Sequence, residues 1–154
     1  MVKQTDMALL NIPFMSVAYA PAGTSLLKAC IQQAGFTCIV KDYNIKLWHS
    51  LSDPQVIADL ENYFTVNASL DTDTQILVDQ YYDLVVKELV ELNPKWIGFS
   101  VFTFQCQRAT REIIQRLRKT CQGKIMVGGA GISTRGIASS NADYAEGLLK
   151  EKLI

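Results

Sequence analysis

Apolar residues in this chain form short continuous runs that alternate with stretches of helical periodicity. The first run covers Met7 to Pro13, and a loop rich in proline, alanine and glycine follows it. Continuous apolar runs of this length are typical of strands that are buried on both faces. A helix is predicted from Leu26 to about Gln33, with Thr24 or Ser25 as its cap and Gly35 at its end.

The second predicted strand, "FTCIVKDYN", follows that helix directly, and a strand–helix–strand order implies parallel pairing. Residues 46–93 contain no convincing strand and are predicted to be a helical excursion. Pro54 stands at the first position of one helix, and Asn93-Pro94 ends another. The apolar residues predicted to face the core from these helices are Val56, Ile57, Leu60, Phe64, Ile76, Leu77, Tyr81, Leu84, Val85 and Leu89.

Regular alternation then resumes towards the end of the chain. The pattern predicts a third strand in "KWIGFSVFT", an amphipathic helix in "QRATREIIQRLRKTC", a fourth strand in "KIMVGG" and a final helix in "NADYAEGLLKEKLI". Alternating strands and helices of this kind predict a doubly wound α/β fold with a parallel sheet.

Composition and charge limit the classes of function. The chain has 154 residues, which suits one domain over residues 1–154, and 49% of them are hydrophobic. Lys and Arg together number 15, as do Asp and Glu, so the zero net charge gives no support for binding to nucleic acid or a membrane surface. With no apolar run that could span a bilayer and no signal-peptide pattern, we expect a cytoplasmic protein. The four cysteines match no zinc or iron–sulfur spacing and are expected to be separate, mostly buried thiols.

Three loops after predicted strands, "MSVAYAPAGTS", "FSVFTFQ" and "GGAGIST", are the candidates for a ligand site. Ligands in doubly wound folds bind beyond the carboxyl ends of the strands, at the switch point. In "GGAGIST" the three glycines allow close approach of the backbone, and Ser133 and Thr134 add hydroxyls. Neither GxGxxG nor a phosphate-binding Gly-Lys-Ser/Thr motif is matched. The glycines are equally compatible with tight strand–helix packing alone.

The ordered set of these motifs resembles the cobalamin-binding domain at the N-terminus of many radical S-adenosylmethionine enzymes. The resemblance covers nearly the whole chain and is carried by "PKWIGFSVFTFQ", "KIMVGGAGIST", Pro21-Ala22-Gly23 and Asp42-Tyr43-Asn44. It implies a flavodoxin-like strand order 2-1-3-4-5, of which the fifth strand is expected to be missing here. It also implies cobalamin as cofactor, bound by Tyr19, Pro21, Gly23, Asp42, Asn44, Ser100, Thr103, Gly128, Gly129, Ala130 and Gly131.

In detail, the resemblance implies that Ser100 and Thr103 contact the benzimidazole end of the nucleotide tail. Gly128, Gly129 and Ala130 would line the slot for that tail, and the loop around residues 19–23 would lie under the corrin. On this view, replacement of Gly129 by leucine should abolish cobalamin binding and leave the fold largely intact.

Two departures from the family affect the chemistry. The Asp-x-His-x-x-Gly motif of related methyltransferases and mutases is missing, and the single histidine, His49, follows the second strand. Bound cobalamin is therefore expected to have its benzimidazole displaced into the domain with no histidine on the cobalt. No Cys-x-x-x-Cys-x-x-Cys occurs, so no iron–sulfur cluster is expected and no catalytic residues are assigned. The chain is interpreted as a fragment whose C-terminal radical S-adenosylmethionine domain is missing.

Two other classes of function stay open. A nucleotide- or flavin-binding module could use the same glycine-rich slot. A receiver-like signalling domain shares the strand order, but it needs acidic residues after the first strand and a phosphorylatable Asp after the third. The third strand ends in "FSVFT", without an Asp, which makes the receiver the weaker alternative.

Overall fold

Four parallel strands form a single sheet with the order β2-β1-β3-β4. The strands are β1 (Met7–Asn11), β2 (Cys38–Asp42), β3 (Trp96–Ser100) and β4 (Lys124–Gly128). The structure is a computed structural model, and it describes residues 4–18, 21–121, 123–132 and 144–154. The parallel pairing and the strand order confirm the predicted doubly wound α/β fold.

The register brings four residues into one row at the carboxyl edge of the sheet. Asn11 at the end of β1 pairs with Asp42 on one side and with Ser100 on the other, and Ser100 pairs with Gly128. The order of the strands reverses between β1 and β3, so the switch point of the sheet lies over Asn11 and Ser100.

Six α-helices surround the sheet in the part of the chain that the structure describes, and a short 3-10 turn at Ala130–Ile132 follows β4. The helices are α1 (Ala22–Gln33), α2 (Tyr43–Ser50), α3 (Pro54–Val66), α4 (Thr72–Leu92), α5 (Gln105–Leu117) and α6 (Tyr144–Lys150). A single buried cluster joins the sheet to α4 and α5, and includes Leu10, Phe99 and the predicted inward residues Ile113, Ile114 and Leu117. By contrast, α1 contributes only Thr24 to the buried residues. None of the described helices is long and apolar enough to cross a membrane.

Local sequence signals account for several helix boundaries. Asp53 caps α3 by accepting a hydrogen bond from the backbone N–H of Gln55 at 2.8 Å, and Pro54 follows at the first helical position. Asn93 ends α4 in the left-handed conformation with φ of 45°. Gly35 adopts φ of 86° just beyond α1, as its predicted position at the helix end requires.

Two predicted helix starts were wrong. Helix α1 begins at Ala22, with Pro21 as its N-cap, so Thr24 and Ser25 lie inside it and donate their hydroxyl hydrogens to the Pro21 carbonyl. The helical excursion begins before residue 46, because Asp42 caps α2 directly at the end of β2.

The predicted inward face of α4 was wrong at two positions. Ile76 and Leu84 are about half exposed, at 49% and 48%, whereas Val78 and Tyr82 are buried. The observed buried stripe passes through Val78, Tyr82, Val85 and Leu89 at helical spacing. The predicted face was rotated from the observed one, because apolar residues surround much of this helix and more than one face fits the helical period.

Candidate functional site

A cavity of about 450 Å³ lies at the carboxyl edge of the sheet, next to the switch point between β1 and β3. The described residues that line it are Met15, Ser16, Pro21, Ala22, Gly23, Thr24, Ser100, Phe102, Thr103 and Gln105. All ten belong to two of the three loops that the sequence identified, "MSVAYAPAGTS" and "FSVFTFQ". Its volume falls within the range of about 300–1,000 Å³ that is usual for small-molecule sites.

The lining is mainly apolar and contains no charged side chain among the described residues. Met15 and Phe102 provide apolar surface, and the Phe102 ring is 63% exposed. Hydroxyls come from both loops, including those of Ser100 and Thr103. The side-chain amide of Gln105 already donates to the Thr65 hydroxyl at 2.9 Å. Such a surface suits a flat, largely uncharged group that carries a few hydrogen-bonding atoms.

The N-terminus of α1 forms one wall of the cavity. Pro21 is the N-cap residue and makes no side-chain cap, and the first turn contains no acidic residue. First-turn backbone N–H groups have no partner within a helix, and the helix dipole gives this end a partial positive charge. The wall at Ala22 to Thr24 is therefore suited to an oxygen acceptor or a phosphate.

Four of the predicted site residues line the cavity together. Pro21 and Gly23 lie on the α1 side, and Ser100 and Thr103 lie on the β3 side. Tyr19 lies outside the described residues, as do the predicted hydroxyls of residues 133 and 134. Thr103 is also 3.7 Å from the sulfur of Cys106, whose thiol pKa is raised by burial.

Asp42 and Asn44 are not among the described residues that line the cavity, and both bond to protein instead. Asp42 accepts hydrogen bonds from the Ile45 backbone N–H at 2.9 Å and from the Asn11 side-chain amide at 3.2 Å. Asn44 is buried and bonds twice to the backbone of Met15. The Asp-x-Asn motif therefore holds the loop that follows β1.

The glycine-rich loop after β4 packs against the backbone of the β3 exit. Gly129 has φ of 116°, and a Cβ there would lie 2.5 Å from the Val101 carbonyl oxygen. A Cβ at Gly131 would lie 2.6 Å from the Thr103 carbonyl oxygen. The expectation that Gly129→Leu leaves the fold largely intact is therefore wrong, because the side chain would meet backbone.

Gly128 and Ala130 differ from those two glycines. A Cβ at Gly128 meets nothing within 4 Å, and Ala130 opens the 3-10 turn. A ligand contact by Gly128, Gly129, Ala130 or Gly131 stays a prediction, since none of them is among the described lining residues. The close packing of this loop against the backbone of Val101 and Thr103 supports the side of the cavity that carries Phe102 and Thr103.

Sequence reasoning missed one buried polar residue, Asn11, which is fully buried at the switch point. Its side-chain amide donates to Asp42, while its Oδ1 has no hydrogen-bond partner among the described residues. A polar residue ending an apolar strand was the available signal. Met15, Phe102 and Gln105 were also missed individually, although the loops that contain them were identified.

The cysteines and the histidine form no metal-binding group in the described structure. All four cysteines are free, but only Cys38 and Cys106 are buried, so the expectation of mostly buried thiols holds for half of them. Burial raises the thiol pKa of Cys38. His49 is exposed in the last turn of α2. The described residues include no group of three His, Cys, Asp or Glu side chains that could hold a metal ion.

Comparisons with protein-family models, with curated proteins and with solved structures each found no match to this chain. The chain is therefore described by its fold, an α/β domain with a four-stranded parallel sheet of order 2-1-3-4.

Proposed function

We propose that this domain binds cobalamin by taking the nucleotide tail into the cavity between β1 and β3. The observation that carries the proposal is the cavity of about 450 Å³ at the switch point, whose described lining residues carry no charged side chain. Doubly wound folds bind their ligands at this place. The motif resemblance described above supplies the identity of the ligand. When bound, cobalamin supplies a cobalt centre for methyl transfer or related radical chemistry in a parent enzyme.

The residues of the cavity fit the nucleotide tail. The apolar surface of Met15 and Phe102 suits a benzimidazole ring, and the hydroxyls of Ser100 and Thr103 suit its polar atoms. The tail also contains a phosphodiester, for which the N-terminus of α1 is the favourable neighbour. No histidine is among the described residues of the cavity, and none of them would supply an imidazole to the cobalt.

A flavin mononucleotide site is the second candidate, and the same end of α1 favours it. A terminal phosphate carries more negative charge than a phosphodiester and would gain more from the first-turn amides. The two ligands are separated directly by their absorption spectra. Wild-type protein is incubated with hydroxocobalamin or with flavin mononucleotide, passed through a desalting column, and examined for retained colour, with dissociation constants from equilibrium dialysis.

Gly23 offers a matched pair of variants for testing the cavity itself. It lines the cavity in the first turn of α1, and an added Cβ there meets nothing within 4 Å. Gly23→Leu should place a side chain in ligand space and weaken binding roughly tenfold or more, since overpacking costs about 1–3 kcal/mol. Gly23→Ala should bind almost as the wild type does.

Retention of hydroxocobalamin with unchanged affinity in Gly23→Leu would place the ligand elsewhere and refute the site. Retention of the flavin in place of cobalamin would establish the second candidate. Loss of binding in both Gly23 variants would mean that helix geometry, not cavity space, is the cause. Far-ultraviolet circular dichroism checks that each variant is folded.

A further inference from the structure

One residue of the cavity rim, Met15, is held by three hydrogen bonds from α2. Its backbone N–H donates to Asn44 Oδ1 at 3.0 Å, and its carbonyl accepts from Asn44 Nδ2 at 3.0 Å. The same carbonyl accepts a hydrogen bond from Trp48 Nε1 at 3.1 Å. Asn44 and Trp48 lie one helical turn apart, so they reach the same residue from one face of α2.

The helix that carries these two side chains is itself fixed in place. Asp42 caps its first turn and also accepts from the side chain of Asn11, the last residue of β1. The Tyr81 hydroxyl donates to the Tyr43 carbonyl at 3.1 Å. Leu47 is buried in the core. Motion of α2 relative to β1 would therefore break contacts at several points.

Aromatic packing holds the residue that precedes Met15. The Phe14 ring lies 4.9 Å from the Trp48 ring and 5.3 Å from the Phe64 ring, measured between ring centres. Trp48 thus contacts the loop twice, through its ring and through its N–H. Phe14 and Met15 are thus tied down from α2 and α3 at the start of the Met15–Ser16 rim, although they belong to an irregular segment.

We infer that Asn44 and Trp48 are positioning residues, which hold the Met15–Ser16 rim in its binding-competent conformation without lining the cavity themselves. The predicted effect on ligand affinity rests on the proposed function, whereas the ordering of the rim does not. A rim that is already ordered loses little conformational entropy when the ligand binds, whereas a loose rim must be ordered at that step. Release of the rim should raise the dissociation constant roughly tenfold. The conformational entropy lost when one residue is ordered corresponds to about a tenfold change in that constant.

The chain provides a matched pair of tryptophan variants for the test. Trp48→Phe keeps an aromatic ring beside Phe14, removes the N–H donor to Met15 and shortens the ring system, a loss of volume that the control shares. Trp96→Phe is the control, since the Trp96 ring is 37% exposed on β3 and contacts Lys124. Asn44→Leu removes the other two hydrogen bonds and is the stronger perturbation.

Two measurements on the 154-residue chain test the rim and the ligand separately. The first is amide hydrogen exchange at Met15 and Ser16 without ligand, with Leu9 and Leu10 as internal references. The second is the dissociation constant for hydroxocobalamin and for flavin mononucleotide. We expect faster exchange at Met15 and Ser16 in Trp48→Phe and Asn44→Leu, with unchanged exchange in β1, and weaker binding of whichever probe the wild type retains.

Trp96→Phe should behave as the wild type does in both measurements. Rim amides that exchange at the wild-type rate in Trp48→Phe and Asn44→Leu would overturn the inference, whatever the ligand. Faster exchange with undiminished affinity would overturn its link to binding. If the wild type retains neither probe, the proposed function fails, and the predicted effect on affinity fails with it. The exchange rates still decide whether α2 holds the rim.

Discussion

Replacement of Gly129 by alanine should destabilise the fold, whereas the same change at its neighbour Gly128 should not. Gly129 has φ of 116°, a region that residues with a Cβ rarely adopt, and that strain costs about 1–3 kcal/mol. The added Cβ would also lie 2.5 Å from the Val101 carbonyl oxygen and 2.9 Å from its carbon. Both atoms belong to backbone, which cannot move aside as the end of a flexible side chain would.

The expected loss in the free energy of unfolding for Gly129→Ala is about 2–4 kcal/mol, when strain and overpacking are taken together. For a chain of 154 residues, each kcal/mol lowers the melting temperature by about 2–4 °C. The melting temperature of Gly129→Ala should therefore fall by roughly 4–16 °C. A Cβ at Gly128 meets nothing within 4 Å, so Gly128→Ala should stay within about 0.5 kcal/mol of the wild type.

Urea unfolding followed by far-ultraviolet circular dichroism at pH 7 measures both free energies under the same conditions. The pair is informative because both changes add one methyl group to adjacent residues after the same strand. Equal free energies of unfolding for the two variants would refute the reasoning. That result would mean that the loop after β4 can move away from Val101 at little cost.

Two further predictions concern acid stability and thiol reactivity. Asp6 accepts hydrogen bonds from Lys95 Nζ and from Thr37, and these bonds hold the pKa of its carboxyl below the usual range. The contribution of the Asp6 carboxylate to the stability of the fold is therefore present above about pH 4 and is lost as the pH falls further. Asp6→Asn should therefore lower the urea midpoint at pH 7 and differ less from the wild type at pH 3; an equal difference at both pH values would contradict this assignment. An Ellman assay should label exposed Cys30 in the native protein and buried Cys106 only after unfolding, and rapid native labelling of Cys106 would contradict its burial.

The sequence predicted the elements of the fold because their signals are local. Apolar runs, helical periodicity and the caps at Asp53 and Asn93 each act within a few residues. Strand ends were less accurate, because burial continues past the sheet. Ile12 and Phe14 are buried, yet β1 ends at Asn11. An apolar run shows which residues are buried, and backbone pairing then decides which of them are in the strand.

The position of the cavity was predictable for a different reason, since the topology indicates it. The rule for switch points identified three loops, and every described residue that lines the cavity belongs to the loop after β1 or the loop after β3. Four of the lining residues had been named individually and the others had not, because the direction of a loop side chain depends on contacts far along the chain. Gln105, for example, reaches Thr65, which is 40 residues away in the sequence.

The same limit applies to two of the predicted contact motifs, which bond to or pack against protein while their contact with a ligand stays a prediction. Glycine is required wherever a backbone approaches closely, and the sequence does not say whether the neighbour is a ligand or the chain itself. For Gly129 the neighbour is Val101. An Asp-x-Asn pattern after a strand is ambiguous in the same way, and the start of α2 at Tyr43 turns Asn44 towards Met15. In this domain Asn44, a residue of a predicted binding motif, holds the Met15 backbone. The Asn44→Leu exchange experiment therefore tests directly whether that motif orders the cavity rim.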